Sequence, residues 1–421
     1  MSQTLTEKII SRHVGQSVRP GDLVIVPVDA VMASDATAPY AIKAFQEMGA
    51  TRLWRPEKVI LVIDHAAPAP NQRVSNLHTM MRKFAQEMGC RLYDIGAGIC
   101  HQVMVENQHA RPGEIVIGAD SHSCTYGAVA AFATGMGSTD VAALMHTGKT
   151  WIKIPSAIKV ELSGRLPAGT ATKDLILFLV GQLGINGANY QAIEYTGEAI
   201  EGLSLAGRMT LASMSVEMGA KSGIVDTSGL ELPYEFEPLK ADEDAHYEKI
   251  YQFDISGLSS QIGLPHSPDN VVPLEEVTGT PIDVAFIGTC TNGRLEDLQA
   301  AADVLQGQHI APHVRMIIAP ASREVFNQAL QQGTVEILSR AGATFITPGC
   351  GPCVGTHLGI PGDEEVVISA ANRNFKGRMG NPHSKIYLAS PAAVAASALC
   401  GVISDPAEGL PSAKDGAQEQ P

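Results

Sequence analysis

Two thiols lie three residues apart in a stretch that is rich in turn residues. Cys350 and Cys353 form a Cys-x-x-Cys pair within TPGCGPCVGTHLG, residues 347–359. Such a pair can be a redox-active dithiol, half of a zinc site or part of the mount of an iron–sulfur cluster. A structural zinc site needs four protein ligands, and the sequence has only this one pair. A thioredoxin-type dithiol stays open on spacing alone, although it would leave the other reactive residues without a role.

A third thiol extends the cluster interpretation. Cys290 stands in IGTCTNGR, at the end of a candidate strand, as Cys350 does. Three thiolates from two strand ends could hold a cubane cluster by three of its irons and leave the fourth iron without a protein ligand. An open metal position is what allows a metal centre to act catalytically.

Reactive side chains follow five candidate strands. These strands are short β-branched runs at 58–63, 114–118, 283–288, 343–348 and 364–369. They lead, in that order, into Asp64-His65, Asp120-Ser121-His122, Cys290, Cys350 and the pair Arg373 and Arg378. Because ligands bind beyond the carboxyl ends of the strands in open parallel sheets, we expect these groups to face one cleft.

Each of these motifs also has an ordinary structural interpretation. An Asp-His pair is more often part of a loop, and His101 in GAGICHQ would usually be a satisfied, partly buried histidine. Arg373 and Arg378 would usually form a solvated face, although their spacing also suits two guanidinium groups that grip a carboxylate. It is the co-occurrence of the motifs that favours a functional site.

The alternation of strands and helices predicts an α/β protein with mainly parallel sheets. One expected helix is STDVAALMHTGKT (138–150), capped by Ser138 or Thr139, with its apolar face formed by Val141, Leu144 and Met145. Shifts in composition divide the chain into three α/β domains and a flexible tail. The expected boundaries are 1–152, 153–278, 279–405 and 406–421.

Composition excludes several classes of protein. The chain has 421 residues and a formal net charge of -14, which disfavours a nucleic-acid binder because phosphate contacts need clustered Lys and Arg. No secretory signal or apolar run long enough to span a membrane is visible. The 7 cysteines favour a reducing compartment over a disulfide scaffold. We therefore expect a cytoplasmic protein, with a first helix capped by Thr4 or Thr6.

Four longer motifs together resemble the signatures of the aconitase superfamily. They are GADSHSCTYGAVAAFATGMGSTD, IGTCTNGRLEDL, TPGCGPCVGTHLG and NRNFKGRMGNPHSKIYLASPAAVAASAL. The resemblance runs from Asp29 to about Val402. It is nearest to the branch of 3-isopropylmalate dehydratase large subunits and homoaconitase-like large subunits. It implies aconitase-like domains 1–3, with the swivelling domain of the longer aconitases absent from this chain.

The resemblance implies a cofactor and a set of site residues. The cofactor is a [4Fe-4S] cluster, one per chain, held by Cys290, Cys350 and Cys353. Its open iron would bind the hydroxyl group and one carboxylate of a hydroxy acid as a Lewis acid. Three carboxylate–imidazole pairs are implied to be catalytic: Asp64 with His65, Asp120 with His101, and Glu217 with His122. The implied substrate-binding residues are Arg373, Arg378, Ser34 and Ser121.

A partner is implied as well. A separate small subunit would carry the swivelling domain and the catalytic serine, so that the chain alone would be nearly inactive. The implied reaction interconverts 3-isopropylmalate and 2-isopropylmalate in leucine biosynthesis, through loss and return of water. Homoaconitase, 2,3-dimethylmalate and maleate or citraconate chemistry are alternatives.

Two departures from the family pattern bear on the substrate. Ser34 stands where aconitases carry Gln, and Ser213 stands where relatives usually carry Asn. Both leave the cluster cysteines intact. Two interpretations of another class stay open beside the hydro-lyase: an RNA binder of the kind that cluster-free relatives can be, and a thiol oxidoreductase that uses Cys350 and Cys353.

Overall fold

The computed structural model of the chain describes residues 2–406, in which helices alternate with strands. The helices are α1 (Leu5–Val14), α2 (Ala38–Glu47), α3 (Gln72–Met88), α4 (Cys100–Glu106), α5 (Ser138–Thr147), α6 (Thr172–Leu183), α7 (Glu198–Glu201), α8 (Leu205–Met214), α9 (Leu295–Leu305), α10 (Arg323–Gln331), α11 (Thr334–Ala341) and α12 (Pro391–Cys400). Short 3₁₀ helices span Pro56–Lys58, Ser121–Val129, Ser215–Met218, Leu274–Val277 and Gly351–Val354. Within this described part, no helix is long and apolar enough to cross a membrane.

The strands form four sheets. They are β1 (Leu23–Pro27), β2 (Ala30–Ser34), β3 (Val59–Val62), β4 (Arg91–Tyr93), β5 (Ile115–Gly118), β6 (Phe132–Gly135), β7 (Lys149–Lys153), β8 (Ala157–Ser163), β9 (Ala192–Thr196), β10 (Ser222–Val225), β11 (Lys249–Asp254), β12 (Gln261–Gly263), β13 (Val271–Pro273), β14 (Val284–Gly288), β15 (Arg315–Ala319), β16 (Thr344–Phe345), β17 (Val366–Ser369) and β18 (Lys385–Leu388).

The described residues divide into two compact units. The first comprises the chain up to Leu166 together with Leu183–Gly257, and the second comprises Pro167–Gln182 and the chain from Leu258 onward. The expected boundaries of the three domains stay a prediction. Of the tail expected at 406–421, residues 407–421 lie outside the described part of the chain.

The first unit is built on a parallel sheet of five strands in the order β4-β3-β2-β5-β6. Strands β2, β3 and β5 are buried along their whole length, because their apolar runs pack on both faces of the sheet. Ser34 lies opposite Val62, so that β2 and β3 end level with each other. Polar residues that follow these strands therefore meet at one edge of the sheet.

Two further sheets complete the first unit. Four parallel strands in the order β10-β9-β8-β11 form one, and the antiparallel pair of β1 and β7 forms the other. A hydrophobic cluster of the first unit joins α1, α2, α3 and α5 to the five-stranded sheet, through side chains such as Phe45, Leu61, Ile117 and Leu144. Each such side chain contributes about 2 kcal/mol when fully buried.

The second unit contains a sheet of seven strands in the order β13-β12-β18-β17-β14-β15-β16. The strands from β18 to β16 are parallel, and β12 joins them antiparallel. Its core packs α9 and α12 on the sheet, with Ile287, Leu298, Ile318 and Val394 fully buried. The expected α/β class with mainly parallel sheets is confirmed.

The expected elements are present, with two corrections, both in helix α5. All five strands that lead into reactive residues are present, and Thr4 caps α1 in a capping box with Glu7. Helix α5 buries Val141, Leu144 and Met145 as expected, but it ends at Thr147, where Gly148 adopts a φ of 67°. Its N-cap is Gly137, so neither Ser138 nor Thr139 caps it, because both lie inside the helix.

Candidate active site

Asp64 and His65 follow β3 and form the first carboxylate–imidazole pair. Nδ1 of His65 donates to Oδ1 of Asp64 at 2.7 Å, and Oδ2 of Asp64 accepts the backbone N–H of Cys100 at 2.7 Å. The carboxylate of Asp64 is fully buried. Because the carboxylate fixes the proton on Nδ1, Nε2 of His65 points away from it with its own proton or lone pair.

Asp120 follows β5 and joins three histidines. Its Oδ1 accepts from Nε2 of His101 at 2.9 Å and from the backbone N–H of His122 at 2.8 Å. Its Oδ2 lies 3.4 Å from Nε2 of His65. Burial alone would raise the pKa of Asp120, but the charge and hydrogen bonds of these histidines hold it well below its usual range. Asp120 is therefore an ionised centre that can hold imidazolium groups.

His101 is held at both ring nitrogens. Its Nδ1 lies 3.0 Å from the hydroxyl group of Tyr126, while Nε2 faces Asp120. His101 is the second residue of helix α4 and is buried, as is Tyr126 in the 3₁₀ helix Ser121–Val129. The expected pairing of His101 with Asp120 is present in the structure, and its catalytic role stays a proposal.

His122 and Glu217 form the third pair. Nε2 of His122 lies 2.9 Å from Oε1 of Glu217, and both side chains are buried. Glu217 is brought there by the 3₁₀ helix Ser215–Met218, which follows α8. Ser213 is fully buried near this pair, where its carbonyl oxygen accepts from Sγ of Cys124 at 3.5 Å.

Glycines let the elements of this site approach closely. A Cβ atom on Gly127, in the 3₁₀ helix after Asp120, would lie 1.8 Å from the carbonyl oxygen of Gly223 in β10. A Cβ atom on Gly135, at the end of β6, would lie 2.5 Å from the carbonyl oxygen of Asp120 itself. Only glycine fits at these two contacts, which set the backbone that carries Asp120 and His122.

Ser34 and Ser121 occupy different surroundings. Ser34 ends β2 and is fully buried, with its Oγ 3.4 Å from Oγ1 of Thr37. Ser121 is exposed and lines a cavity of about 370 Å³ together with Asp120, Thr134, Met136 and Lys221. The expected contact of both serines with substrate stays a prediction.

Asp35 was missed by sequence reasoning. It follows Ser34, is buried, and accepts four hydrogen bonds: the backbone N–H groups of Asp64, His65 and Ala66 at 2.9, 2.7 and 2.9 Å, and Nε2 of His78 at 3.2 Å. In the sequence, Asp35 stands in ASDATAP, where an Asp resembles a turn residue. Its partners lie about thirty positions away or more, so no local signal reveals them.

In the second unit, the three expected cysteines are buried thiols at strand ends. Cys290 follows β14, Cys350 follows β16, and Cys353 lies in the 3₁₀ helix Gly351–Val354. No disulfide joins any cysteines in the part of the chain that the structure describes. The backbone N–H of Cys353 donates to the carbonyl oxygen of Cys350 at 2.8 Å, which sets the turn between them.

Side chains form hydrogen bonds with the sulfur atoms of Cys290 and Cys353. Nδ2 of Asn372 donates to Sγ of Cys290 at 3.4 Å, and Oδ1 of the same Asn372 lies 3.8 Å from Sγ of Cys353. Nη2 of Arg378 donates to Sγ of Cys353 at 3.6 Å. Two of the cysteines therefore share one asparagine as a hydrogen-bond partner. Arg373 follows Asn372 on the same segment and is partly exposed.

Two buried cations near the cysteines were also missed. Nη1 of Arg294 donates to the carbonyl oxygen of Cys290 at 2.8 Å, and the guanidinium group also reaches the carbonyl oxygen of Thr291. Nζ of Lys173, in α6, donates to the carbonyl oxygens of Ala370 and Ala371 at 2.9 and 2.5 Å. Burial lowers the pKa of Lys173 to about 7, against the opposing charges of Asp297, Cys353, Asp174 and Cys290.

The donor set fits an iron–sulfur cluster. Three buried thiols on short turns, with amide and guanidinium donors aimed at their sulfur atoms, are the ligands and supporting contacts that such clusters use. A structural zinc site would need a fourth protein ligand beside these three thiols.

Comparison with known proteins agrees with the geometry. The sequence profile of the aconitase family (aconitate hydratase) matches residues 7–234 and 231–401. The chain is 46% identical over 414 residues to the 3-isopropylmalate dehydratase large subunit 1 of Methanopyrus kandleri, covering 96% of this chain and 99% of that protein. It is 45% identical over 419 residues to a probable methanogen homoaconitase large subunit of Methanothermobacter thermautotrophicus, covering 96% and 98%.

A solved structure shares the fold. The aconitase X of Thermococcus kodakaraensis aligns with a TM-score of 0.53 at 13% identity, over 89% of this chain and 94% of that one. At that identity the likeness concerns the fold alone. The matched profile and the near full-length identity to the large subunits go further: the chain belongs to the aconitase family of hydro-lyases.

Proposed function

We propose that this chain is the large subunit of an iron–sulfur hydro-lyase that interconverts 3-isopropylmalate and 2-isopropylmalate. The observation that carries the proposal is the network of imidazoles around Asp120, with His65 and His101 both directed at its carboxylate. Such a network can deliver and recover a proton, as removal and return of water require. Identities of 46% and 48% to the 3-isopropylmalate dehydratase large subunits of Methanopyrus kandleri and Elusimicrobium minutum support the choice of substrate.

Membership of the aconitase family implies an iron–sulfur cluster, and we propose that it is a single [4Fe-4S] cluster held by Cys290, Cys350 and Cys353. When bound, its open iron would supply a Lewis acid for the substrate's hydroxyl group. Asn372 and Arg378 would stabilise the thiolates through the contacts described above. Arg294 would hold the turn of Cys290 through its carbonyl oxygen.

His65 would be the proton donor to the departing hydroxyl group. Its two ring nitrogens face two carboxylates, Asp64 at 2.7 Å and Asp120 at 3.4 Å, and both favour the imidazolium form. Movement of Nε2 from Asp120 to the leaving oxygen would transfer the proton. In the other two pairs, His101 with Asp120 and His122 with Glu217, the carboxylate would orient the imidazole ring. It would also fix which ring nitrogen carries a proton.

Charged and hydroxyl groups would hold the substrate's carboxylates. Arg373 and Arg378, with Ser34 and Ser121, are the proposed contacts, since guanidinium groups bind carboxylates with two parallel hydrogen bonds. The departures at Ser34 and Ser213 lie in the first unit and leave the thiols unaffected.

The relatives are named as large subunits, and a separate small subunit is therefore implied. We propose that this partner carries the swivelling domain and the catalytic serine that removes the carbon-bound proton. The proposed setting is the cytoplasm. The second candidate is homoaconitase, which is favoured by the 45% and 49% identity to two probable methanogen homoaconitase large subunits.

The test is an assay of the co-expressed pair, purified without oxygen. 2-Isopropylmalate, homocitrate, 2,3-dimethylmalate and citraconate are offered separately, and the unsaturated acid is followed by its ultraviolet absorbance. We expect turnover of 2-isopropylmalate, and its loss in His65→Asn. Preference for homocitrate would select the second candidate. Turnover of none of the acids by a cluster-loaded pair would contradict the proposed function.

A further inference from the structure

Asp35 forms several hydrogen bonds with residues 64–66 of the candidate active site. Its Oδ1 accepts the backbone N–H groups of Asp64 and His65, and its Oδ2 accepts the backbone N–H of Ala66 and Nε2 of His78. Its own backbone N–H donates to the carbonyl oxygen of Val62, the last residue of β3. Asp35 therefore binds the end of β3 and the three residues that follow it.

The carboxylate of Asp35 is saturated by these bonds. A carboxylate offers about four acceptor positions, and two N–H donors occupy each oxygen. No acceptor is left for a substrate proton, and the side chain is only 2% exposed. Asp35 is thus excluded as a base and acts through the groups it holds.

These hydrogen bonds restrict the orientation of the His65 ring. Asp35 fixes the backbone on both sides of Asp64 and His65, while Asp64 fixes Nδ1 of His65. With both constraints in place, Nε2 of His65 lies 3.4 Å from Asp120, which follows the strand on the other side of β2. Loss of the backbone constraint would leave the Asp64–His65 pair intact but free to turn away from Asp120.

His78 completes the arrangement. It lies on the buried face of α3, is 1% exposed, and donates from Nε2 to Asp35 at 3.2 Å. Burial alone would raise the pKa of Asp35, but the hydrogen bond from His78, the charge of His65 and the backbone donors together hold it well below its usual range. The carboxylate therefore stays an acceptor over the whole neutral range.

We infer that Asp35, held by His78, is a positioning residue that aims His65 at the reacting group. This inference rests on the proposed function for the identity of the reacting group. The geometry of Asp35 and His65 does not depend on the proposed function, because it concerns only residues of the first unit.

The main test is Asp35→Asn in the co-expressed, cluster-loaded pair. Asparagine keeps one acceptor oxygen but places an NH₂ group against two N–H donors. We expect kcat to fall about 100-fold, as for a reacting group displaced by an ångström, while KM stays within about twofold because ground-state binding is untouched. Hydrogen exchange of the peptide that contains residues 64–66 should become about tenfold faster.

Asp29→Asn is the matched control. Asp29 also accepts a backbone N–H, that of Ile115 at 2.7 Å, and a histidine nitrogen, Nε2 of His13 at 2.7 Å. It lies away from the residues of the proposed site. We expect it to leave kcat and the exchange at 64–66 unchanged. An equal loss of kcat in both variants, or unchanged exchange in Asp35→Asn, would overturn the inference.

A second pair of variants covers the case in which Asp35→Asn does not fold. His78→Leu removes one donor to Asp35, and His78→Gln keeps an N–H in its place. We expect kcat to fall about tenfold in the first and to recover in the second. Equal kcat in the two variants would overturn the inference. If the wild-type pair turns over no hydroxy acid, the proposed function fails, and hydrogen exchange alone still decides the role of Asp35.

Discussion

His65 and Asp120 lie 3.4 Å apart, from Nε2 to Oδ2, although 55 positions separate them in the chain. They follow β3 and β5, which flank β2 on either side in the five-stranded sheet. The strand between them carries Asp35, which binds the backbone of His65. Three neighbouring parallel strands thus bring His65, which is the proposed proton donor, together with Asp120 and Asp35 at one edge of the sheet.

The shared carboxylate of Asp120 gives the first prediction. Asp120→Asn removes the anion that holds His65 and His101 and places an amide against their N–H groups. We expect kcat of the cluster-loaded pair to fall about 1,000-fold, since both orientation and proton affinity of the imidazoles change. Iron content should stay the same. Asp94→Asn, which breaks the exposed ion pair with Arg82 and alters the acceptor of the Ile95 backbone N–H, is the control. Retention of more than a tenth of kcat in Asp120→Asn would count against the shared role.

The second prediction concerns the buried guanidinium group of Arg294. It donates to the carbonyl oxygens of Cys290 and Thr291, and its backbone N–H donates to Asp297 at 2.9 Å. Arg294→Lys leaves buried carbonyl oxygens unsatisfied, at a cost of about 2 kcal/mol in the free energy of unfolding. We expect faster loss of iron to a chelator as well. Arg340→Lys, at an exposed ion pair with Glu336, should change neither quantity; the opposite ranking of the two variants would refute the assignment.

The third prediction concerns pH. Burial, together with the charges of Arg91 and Lys58, lowers the pKa of His109 to about 4, and its Nε2 lies 2.7 Å from the hydroxyl group of Tyr93. Between pH 4 and pH 6.5, the unfolded chain therefore binds this proton and the folded chain does not. Folding stability from this residue is present above that window and is lost as pH falls through it.

We expect His109→Gln to remove this pH-dependent contribution to the free energy of unfolding. From pH 7.5 to pH 5, the wild type should lose about 2 kcal/mol more of its free energy of unfolding than the variant does. Urea unfolding at the two pH values measures the difference. An identical loss in both proteins would show that His109 is protonated as easily in the folded chain as in the unfolded one.

The fourth prediction concerns the close approach of Gly127 to Gly223. Its Cβ atom would collide with the carbonyl oxygen of Gly223, a backbone atom that cannot rotate away. We expect Gly127→Ala to lower the free energy of unfolding by about 3 kcal/mol. Gly257→Ala is the matched control, because nothing lies within 4 Å of its Cβ position. Thermal unfolding of the two variants, side by side, compares them, and equal midpoints would show that the 3₁₀ helix moves to make room.

The part of the site that follows strands was visible in the sequence. Continuous apolar runs such as VILV and IVIG predict strands buried on both faces, and the polar residues after them follow without further information. That is how Asp64, His65, Asp120 and Cys290 were found. The pairing of His101 with Asp120, and Glu217 in the 3₁₀ helix after α8, came only from the family resemblance.

The parts that were missed depend on contacts between distant segments. Asp35, Lys173 and Arg294 each bond to backbone atoms, which leave no signature in the residue types around them. Lys173 lies in the first turn of the helix TKDLILFLVGQL, beside Asp174, where a Lys normally points to solvent. The expected cap at Ser138 failed for a local reason, since Gly137 already adopts the extended backbone that begins the helix.

The proposed dehydration chemistry depends above all on three thiolates that hold one cluster. The measurement is iron and acid-labile sulfide in protein purified without oxygen, for the wild type, Cys290→Ala and the control Cys400→Ala, whose thiol lies at the end of α12. We predict about four iron and four sulfide per chain in the wild type and in the control, and loss of both in Cys290→Ala. Wild-type protein without iron, or iron content that does not depend on Cys290, would contradict the cluster and the dehydration chemistry that is built on it.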